Sequence, residues 1–397
     1  MMPPNGLSRP LLPTPPHLHL LSFPSFQPSL SKSTTTTPVE YSPFYGIEKG
    51  AALQDARCFN DAHVDARRCQ QVITKLLYLL VQGETLTKKE SSEVFFSVTK
   101  LFQARDPALR RMVYLVIKDV CPGPDEVIII TSSLMKDMNS PVDLYRANAI
   151  RVLASIADAG LLAQIERYLK QAVVDKAPAV ASAVLVSAAH LLAPPAGGSA
   201  AAAAGGGASS SSSVGGDVVR RWAPEIGEAA QSRHPMVQFH ALALSHALRA
   251  GDRLAVAKLV SSLVRAGGPR SPLAQVLLVR FAAQVIAEAG PSSFSSSSGE
   301  PRPYFEFLDG CMRNRAEMVV VEAARAVARM PGATARELAP AVSVLQIYLR
   351  SSRPVLRFAA VRTLAAVAAG PHPQAVAPAN ADLEALVSDP NRSVATL

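Results

Sequence analysis

Apolar residues recur along most of this chain at the spacing of one face of an α-helix. Stripes with the i, i+3, i+4, i+7 spacing lie in segments 72–80, 94–102, 109–117, 150–157 and 161–173. The period-two alternation typical of a half-buried strand is nowhere sustained. Even the β-branched run 127–131 continues into Leu134 and Met138 at helical spacing. The pattern therefore predicts an all-α fold in which each helix buries one face.

A short motif recurs where many of these helices are predicted to begin. A proline is followed by apolar residues, and in several copies by an arginine and an alanine or other small residue. Copies lie at Pro107, Pro141, Pro178, Pro235, Pro272, Pro354 and Pro390. Two further units without the proline begin near Asp61 and around Met318. Uninterrupted copies are about 34 to 38 residues apart, which is the length of one helical hairpin with its loops.

Hairpins of this kind must stack, because no hairpin can bury its apolar face alone. We therefore predict a right-handed α-solenoid of HEAT/armadillo-like helical hairpins. Because Leu397 falls inside the last repeat, the trunk is expected to be truncated at its C-terminus. The predicted organisation is a disordered leader (1–39), solenoid trunk (40–193), an Ala/Gly/Ser-rich loop (194–216), continued trunk (217–289), a Ser-rich loop (290–303) and final trunk (304–397).

Composition and charge narrow the class of partner. Of 397 residues, 49% are hydrophobic and 18% are charged, which is typical of a folded chain. The net charge of +9 favours acidic partners or an anionic membrane surface. Arginines group at 67–68, 110–111, 220–221 and 350–357, where they either bond adjacent repeats or meet an anionic surface. Aromatic residues do not interleave with them, so we expect no nucleic-acid partner.

Residues 1–39 differ from the rest of the chain. They contain no Asp or Glu and are rich in Pro, Ser and Thr. Two interpretations stay open, a disordered extension and an organelle transit peptide. The apolar stretch 11–26 is broken by four prolines, and no segment of the chain is predicted to span a membrane.

Motifs that carry chemistry are absent from the sequence. There is no His-Glu-x-x-His, no phosphate-binding glycine loop, and no Gly-x-Ser-x-Gly. The four cysteines (Cys58, Cys69, Cys121 and Cys311) form no Cys-x-x-Cys pair and are expected to be reduced structural thiols. We predict no catalytic residue, no cofactor and no metal site, and hence no enzyme.

One predicted helix, in segment 125–139, carries more apolar residues than one buried stripe needs. Its natural stripe runs from Val127 to Met138, while Ile128 points nearly opposite to Ile130. Thr131 and Met135 lie near Ile128 on this second strip. The strip is either covered by the next repeat or offered to a partner, and helix geometry alone favours burial.

Several segments resemble the coatomer gamma-subunit family. The resemblance extends over nearly everything from Glu40 to Leu397. It is carried by segments 41–50, 65–68, 74–80, 109–115, 131–138, 145–152, 164–171 and 355–363. Members of that family form part of the coat of Golgi-derived vesicles and are similar to the large chains of clathrin adaptors.

This resemblance implies a non-catalytic scaffold that acts in transport between the Golgi and the endoplasmic reticulum. The implied partners are the zeta, beta and delta coatomer subunits and a GTP-bound small GTPase of the ADP-ribosylation-factor class. The implied location is the cytosolic face of Golgi membranes and coated vesicles, as a peripheral protein. Ile128 and Thr131 match the positions at which the GTPase docks on related trunks, and Met135 lies on the same strip. The resemblance therefore favours the alternative in which Ile128 is exposed to a partner.

Two other classes stay open at this point. One is a helical-repeat scaffold for nuclear transport or for a phosphatase. The other is an organelle-targeted binding protein, should residues 1–39 direct import.

Overall fold

The computed structural model describes residues 44, 46–120, 124–192, 210–289, 303–330 and 332–396. The helical array comprises residues from Ile47 onward. The predicted leader, and the loop residues 194–209 and 290–302, lie outside the described residues. Within the described ranges the regular structure is helical, and no strand occurs.

Apart from the breaks at 193–209 and 290–302, the described helices follow one another after short connections. They are α1 Lys49–Asp55, α2 Ala66–Val81, α3 Lys88–Lys100, α4 Pro107–Val120, α5 Pro124–Met138, α6 Asp143–Ile156, α7 Ala159–Ala172, α8 Pro178–Leu192, α9 Ser210–Arg220, α10 Ala223–Ala229, α11 Pro235–Ala247, α12 Arg253–Arg265, α13 Pro272–Ala289, α14 Pro303–Cys311, α15 Glu317–Ala328, α16 Ala335–Leu349, α17 Pro354–Ala368, α18 Asn380–Leu386 and α19 Arg392–Ala395. Short 3₁₀ helices cover Ala56–Asn60, Leu101–Gln103 and Pro373–Ala379.

Packing arranges these helices in two layers. A continuous row is formed by α2, α4, α6, α8, α11, α13, α15, α17 and α19, in which each helix contacts the next. A second layer of α3, α5, α7, α10, α12, α14 and α16 pairs with the row, each helix against the one that follows it in sequence. Every copy of the sequence motif introduces a helix of the continuous row. The predicted solenoid of stacked hairpins is therefore confirmed.

Local chemistry sets the helix boundaries. The side chain of Thr87 accepts a hydrogen bond from the backbone N–H of Glu90, and the Glu90 carboxylate accepts one from the backbone N–H of Thr87. This is the capping box that the sequence predicts. Five motif prolines are the first residues of α4, α8, α11, α13 and α17, where the missing N–H costs little.

A ladder of side-chain hydrogen bonds joins neighbouring helices of the continuous row. In each rung, a polar side chain near the start of one helix bonds to the loop at the start of the next. The rungs include Gln70–Asp106 (2.9 Å), Arg146–Asp175 (3.2 Å), Gln238–Ser271 (2.9 Å), Gln275–Asn314 (3.1 Å) and Arg357–Asp389 (2.7 Å). Of the grouped arginines, Arg357 forms one of these rungs and Arg353 pairs with Glu317 of the neighbouring repeat, so both take one of the two roles that the sequence left open.

Within the described ranges, the hydrophobic core divides into three groups along the array. One group spans residues 52–244, a second spans 242–282, and a third spans 279–379. Helix α11 contributes Leu244 to the first group and Leu242 to the second. Helix α13 contributes to the second and third groups in the same way. Each of these two helices therefore packs buried side chains into two neighbouring groups.

Part of the predicted Ala/Gly/Ser-rich loop is helical. Helix α9 begins at Ser210, so the expectation of a loop through Gly216 is wrong for its last seven residues. Gly215 explains the close packing of this helix against α8, because a Cβ at that position would lie 3.0 Å from the carbonyl oxygen of Leu191. The segment lacks helical hydrophobic spacing before Val214, which is why the sequence did not reveal it.

Helix α13 is long and apolar enough to span a membrane by length and composition. Its Leu277, Leu278 and Phe281 side chains are buried against neighbouring helices of the array. Its apolar character is therefore that of a core helix packed between α11 and α15.

Candidate partner-binding surface

Helix α5 buries one stripe and leaves a second one open. Val127, Ile130, Leu134 and Met138 are buried, as the helical spacing predicts. They pack this helix against α6, which follows it in the chain. The stripe fixes which side of α5 faces outward.

The outward side begins with two adjacent isoleucines. Ile128 is 72% exposed and Ile129 is 56% exposed, whereas Ile130 is only 1% exposed. The burial of Ile128 that helix geometry favoured is therefore wrong. The reason is that α5 makes its main contacts with α6 through the opposite stripe, and the neighbouring second-layer helices do not cover Ile128. Periodicity identifies two stripes but does not say whether a neighbour covers the second.

The other two predicted contact residues lie beside Ile128 and are half-buried. The Thr131 hydroxyl donates a hydrogen bond to the carbonyl oxygen of Val127 at 2.8 Å, so its hydrogen is already used within the helix. Met135 packs partly against the first core group. Ile129 was missed from sequence, although three consecutive isoleucines cannot all face one stripe of a helix.

A buried polar cluster holds the C-terminal end of α5. The carboxylate of Asp137 accepts hydrogen bonds from Nη2 of Arg110 (2.6 Å) and from the hydroxyl of Tyr114 (2.7 Å). Arg110 also donates to the carbonyl oxygen of Phe102 and lies over the ring of Tyr145, 4.4 Å from its centroid. Burial raises the pKa of Tyr114, so its hydroxyl remains a donor near neutral pH. The cluster ties the candidate surface to the continuous row.

Titratable groups elsewhere in the described ranges do not assemble into a reactive centre. No group of three or more His, Cys, Asp or Glu side chains there could hold a metal ion. His246 is buried, stacks on Phe281 at 3.8 Å, and shares a hydrogen bond with Gln284. Burial lowers its pKa, which keeps the ring neutral. Cys58, Cys69 and Cys311 are free and buried, and Cys121 lies outside the described residues.

A two-layer stack of helical hairpins defines the class of helical-repeat, or α-solenoid, proteins, and helix α5 adds an uncovered apolar strip to this one. Residues 48–397 match the family model described as the adaptin N terminal region. The chain belongs to this family, because the match covers most of its length.

The similar curated relatives are coatomer gamma subunits. The chain is 60% identical over 359 residues to coatomer subunit gamma of Arabidopsis thaliana, which covers 90% of this chain and 38% of that protein. It is 48% identical over 355 residues to coatomer subunit gamma-1 of Homo sapiens, covering 89% and 37%. The resemblance drawn from the sequence is therefore confirmed. The chain spans less than two-fifths of the length of these relatives.

A structural comparison agrees with the fold. A homology model of the full-length AP-3 complex in an intermediate open conformation matches with a TM-score of 0.57 at 13% identity. The match covers 83% of this chain and 53% of that chain. At this identity the likeness shows the solenoid fold alone. The family match does not favour the alternative of a nuclear-transport or phosphatase scaffold.

Proposed function

We propose that this chain is the trunk of a non-catalytic coat subunit that acts in vesicle transport between the Golgi and the endoplasmic reticulum. Support comes from its 60% identity to a coatomer gamma subunit and from a stacked-hairpin fold suited to holding partners. In this role the helical segments within 40–193, 217–289 and 304–397 act as one scaffold. The zeta, beta and delta coatomer subunits are its assembly partners.

Recruitment to the cytosolic face of Golgi membranes uses helix α5. A GTP-bound small GTPase of the ADP-ribosylation-factor class packs against Ile128, Thr131 and Met135, and Ile129 extends the contact. The observation that carries this proposal is the 72% exposure of Ile128, on a helix whose opposite apolar stripe is buried. An exposed isoleucine that becomes buried at an interface contributes about 1.5 to 3 kcal/mol, which is the magnitude of an interface hot spot.

The test is the Ile128→Asp variant in a pull-down with a GTP-locked GTPase of that class. We expect retention to fall by about tenfold or more, because the interface would have to bury an unpaired carboxylate. The matched control is Ile347→Asp, which places the same charge at a 69% exposed isoleucine on α16. Equal retention of the wild type and Ile128→Asp would remove the site assignment. A lowered melting temperature in Ile128→Asp would mean that the side chain packs within the trunk.

Assembly and location have separate tests. Co-elution of the purified chain with the zeta subunit on size-exclusion chromatography supports the coat proposal, and separate elution argues against it. A fluorescent fusion is expected on Golgi membranes whether or not residues 1–39 are present. Import of the full chain into another organelle, lost on removal of residues 1–39, would favour the organelle-targeted class instead.

A further inference from the structure

The loops that lead into α11, α13, α15 and α17 carry a marked excess of positive charge. The segments concerned are 230–236, 265–273, 311–318 and 349–355, and Glu317 is their one acidic residue. They contain seven arginines, which are Arg233, Arg265, Arg270, Arg313, Arg315, Arg350 and Arg353. Such an imbalance creates a positive potential along one side of the array.

Three of these arginines are available to a ligand. Arg233, Arg270 and Arg315 are exposed, and each lies two residues before the first residue of its helix. None of the three forms an ion pair with a carboxylate in the part of the chain that the structure describes. They differ in this respect from Arg350 and Arg353, which pair with Asp382 and Glu317.

An apolar residue accompanies each loop. The second residue of each helix is Met236, Leu273, Met318 or Val355, and these side chains are between 37% and 77% exposed. Each therefore lies three residues beyond the exposed arginine in the first three repeats. The same combination of a cation and an exposed apolar side chain is repeated from one helix to the next.

Hydrogen bonds within the array hold these loops side by side. The Gln238 side chain on α11 accepts from the backbone N–H of Ser271 before α13, at 2.9 Å. The Gln275 side chain on α13 accepts from Asn314 before α15, at 3.1 Å. Arg353 before α17 pairs with Glu317 of α15. The four loops thus form one continuous surface, which we call the basic edge.

We propose that the basic edge binds an extended, acidic and leucine-containing segment of a partner protein. Packed helices lie about 8 to 10 Å apart, and a polyproline II segment rises about 9 Å over three residues. One carboxylate in every third position would therefore meet Arg233, Arg270 and Arg315 in turn. A leucine beside each carboxylate would contact Met236, Leu273 and Met318.

The apolar residues favour a peptide over a lipid surface as the occupant. Met236, Leu273 and Met318 are 41%, 37% and 49% exposed, so more than half of each residue is covered by its neighbours. Side chains covered to this extent can contact a leucine but present too little apolar surface to insert far into a bilayer. Anionic lipid headgroups would pair with the three arginines but would leave these apolar side chains without a contact.

The test measures binding of a fluorescein-labelled peptide of five Pro-Glu-Leu units to the full chain by fluorescence anisotropy. Arg233, Arg270 and Arg315 are replaced together by Glu, which is expected to weaken binding by about tenfold or more. The matched control replaces Arg67, Arg111 and Arg167 by Glu, because these exposed arginines lie on α2, α4 and α7 and change the net charge equally. The control is expected to change the affinity by less than about threefold at physiological ionic strength.

A second variant separates the apolar contribution from charge. It combines Met236→Ser, Leu273→Ser and Met318→Ser, which leave every charge in place. This triple variant is expected to bind the peptide about fivefold or more weakly. The proposal would be overturned if the basic-edge and control triple Arg→Glu variants lost affinity for the peptide equally. It would also be overturned if a peptide of the same composition, with its Pro, Glu and Leu residues grouped in separate blocks, bound equally well. Binding to phosphatidylserine vesicles that depends on the three arginines, with no peptide binding, would also overturn it in favour of a lipid surface.

Discussion

The guanidinium of Arg110 is enclosed by aromatic rings and by one carboxylate. Arg110 and Asp137 are nearly buried, with side-chain exposures of 7% and 13%, and lie 2.6 Å apart. Removing one member of such a pair leaves an uncompensated charge, which costs more than the pair contributes. The same pair anchors α5, so it bears on both the stability of the trunk and the position of its candidate surface.

Arg110→Ala is expected to destabilise the trunk by about 3 to 5 kcal/mol, because it leaves the carboxylate of Asp137 buried and unpaired. Thermal unfolding followed by circular dichroism measures the loss. The control is Arg221→Ala, since Arg221 pairs with Glu166 at a site where its own side chain is 55% exposed. That change is expected to cost much less, because solvent screens an exposed ion pair. Equal losses in the two variants would contradict this account.

Replacing both Arg110 and Asp137 isolates the free-energy cost of leaving the Asp137 carboxylate buried without a partner. Arg110→Met combined with Asp137→Leu is expected to recover most of the stability lost in Arg110→Ala, because apolar side chains of similar volume need no partner. The measurement is the same melting curve. A double variant no more stable than the single one would show that the pair is needed for more than its own neutralisation.

Individual side chains were predicted from sequence with unequal success. The buried stripe of α5 followed from helical spacing, because Ile130 and Leu134 are one turn apart on the same face. The exposure of Ile128 did not follow, because it depends on where neighbouring helices end. Arg110 was recognised only as part of a basic group, since its partner Asp137 lies 27 residues away in sequence.

At the scale of the element, α3 shows how two residues define a helix start. Thr87 and Glu90 exchange hydrogen bonds across its first turn. The Glu90 carboxylate also lies 2.7 Å from the ammonium of Lys49 on α1. The hydrogen bond from Lys49 and those from Thr87 lower the pKa of Glu90 to about 2. The cap thereby joins α3 to the first helix of the array.

This cap is expected to be sensitive to acid. The folded-state pKa of Glu90 lies below its ordinary value near 4.5, so the ionised carboxylate stabilises the capped start of α3. Protonation of Glu90 removes that stabilisation and favours fraying of the first turn. The stabilisation is complete above about pH 4.5 and is lost as the pH falls toward 2. Hydrogen exchange of the first-turn amides of α3 should therefore become less protected over this range. Glu90→Gln is expected to remove that pH dependence, and an unchanged dependence would contradict the assignment.

The neutral half of the same cap has its own test. Thr87→Ala removes the acceptor for the Glu90 N–H and is expected to cost about 1 kcal/mol of local stability. Thr87→Ser keeps the hydroxyl and is expected to behave like the wild type. Hydrogen exchange at the start of α3 measures both. Similar protection in the Ala and Ser variants would show that the hydroxyl contributes nothing.

Elements were predictable where the motif and the hydrophobic spacing agreed. Helices α4, α11 and α17 begin at the prolines that the sequence marked. Helix α9 was missed because serine and glycine fill its first turns, and its position depends on Gly215 meeting the backbone of α8. That contact is tertiary, so no local pattern could reveal it.

At the scale of the whole molecule, the ladder makes each repeat depend on its neighbours. A rung such as Gln238–Ser271 satisfies a backbone N–H that is otherwise buried between α11 and α13. Repeat arrays carry such effects mainly to adjacent units. The overall solenoid was predictable from the spacing of the motif, whereas the rungs were not, because each joins residues about one repeat apart.

Gln238→Ala is expected to leave the N–H of Ser271 without its acceptor, at a cost of about 1 to 3 kcal/mol. Hydrogen exchange of residues 271–275 should increase, while exchange in α2 and α4 should stay unchanged. Asn148→Ala serves as the control, because that side chain bonds within its own helix, donating to the carbonyl oxygen of Leu144 and accepting from Arg151. An increase spread evenly over the array would contradict nearest-neighbour coupling.

The division of the core into three groups has a mechanical consequence. Since α11 and α13 each belong to two groups, a pull applied along the chain meets resistance in blocks rather than at a single yield point. The block beyond α13 can open while that helix stays docked on its other side, so it keeps a template on which the lost hairpins can re-form. We therefore expect a trunk of this construction to extend stepwise under force and to refold without having lost its whole fold.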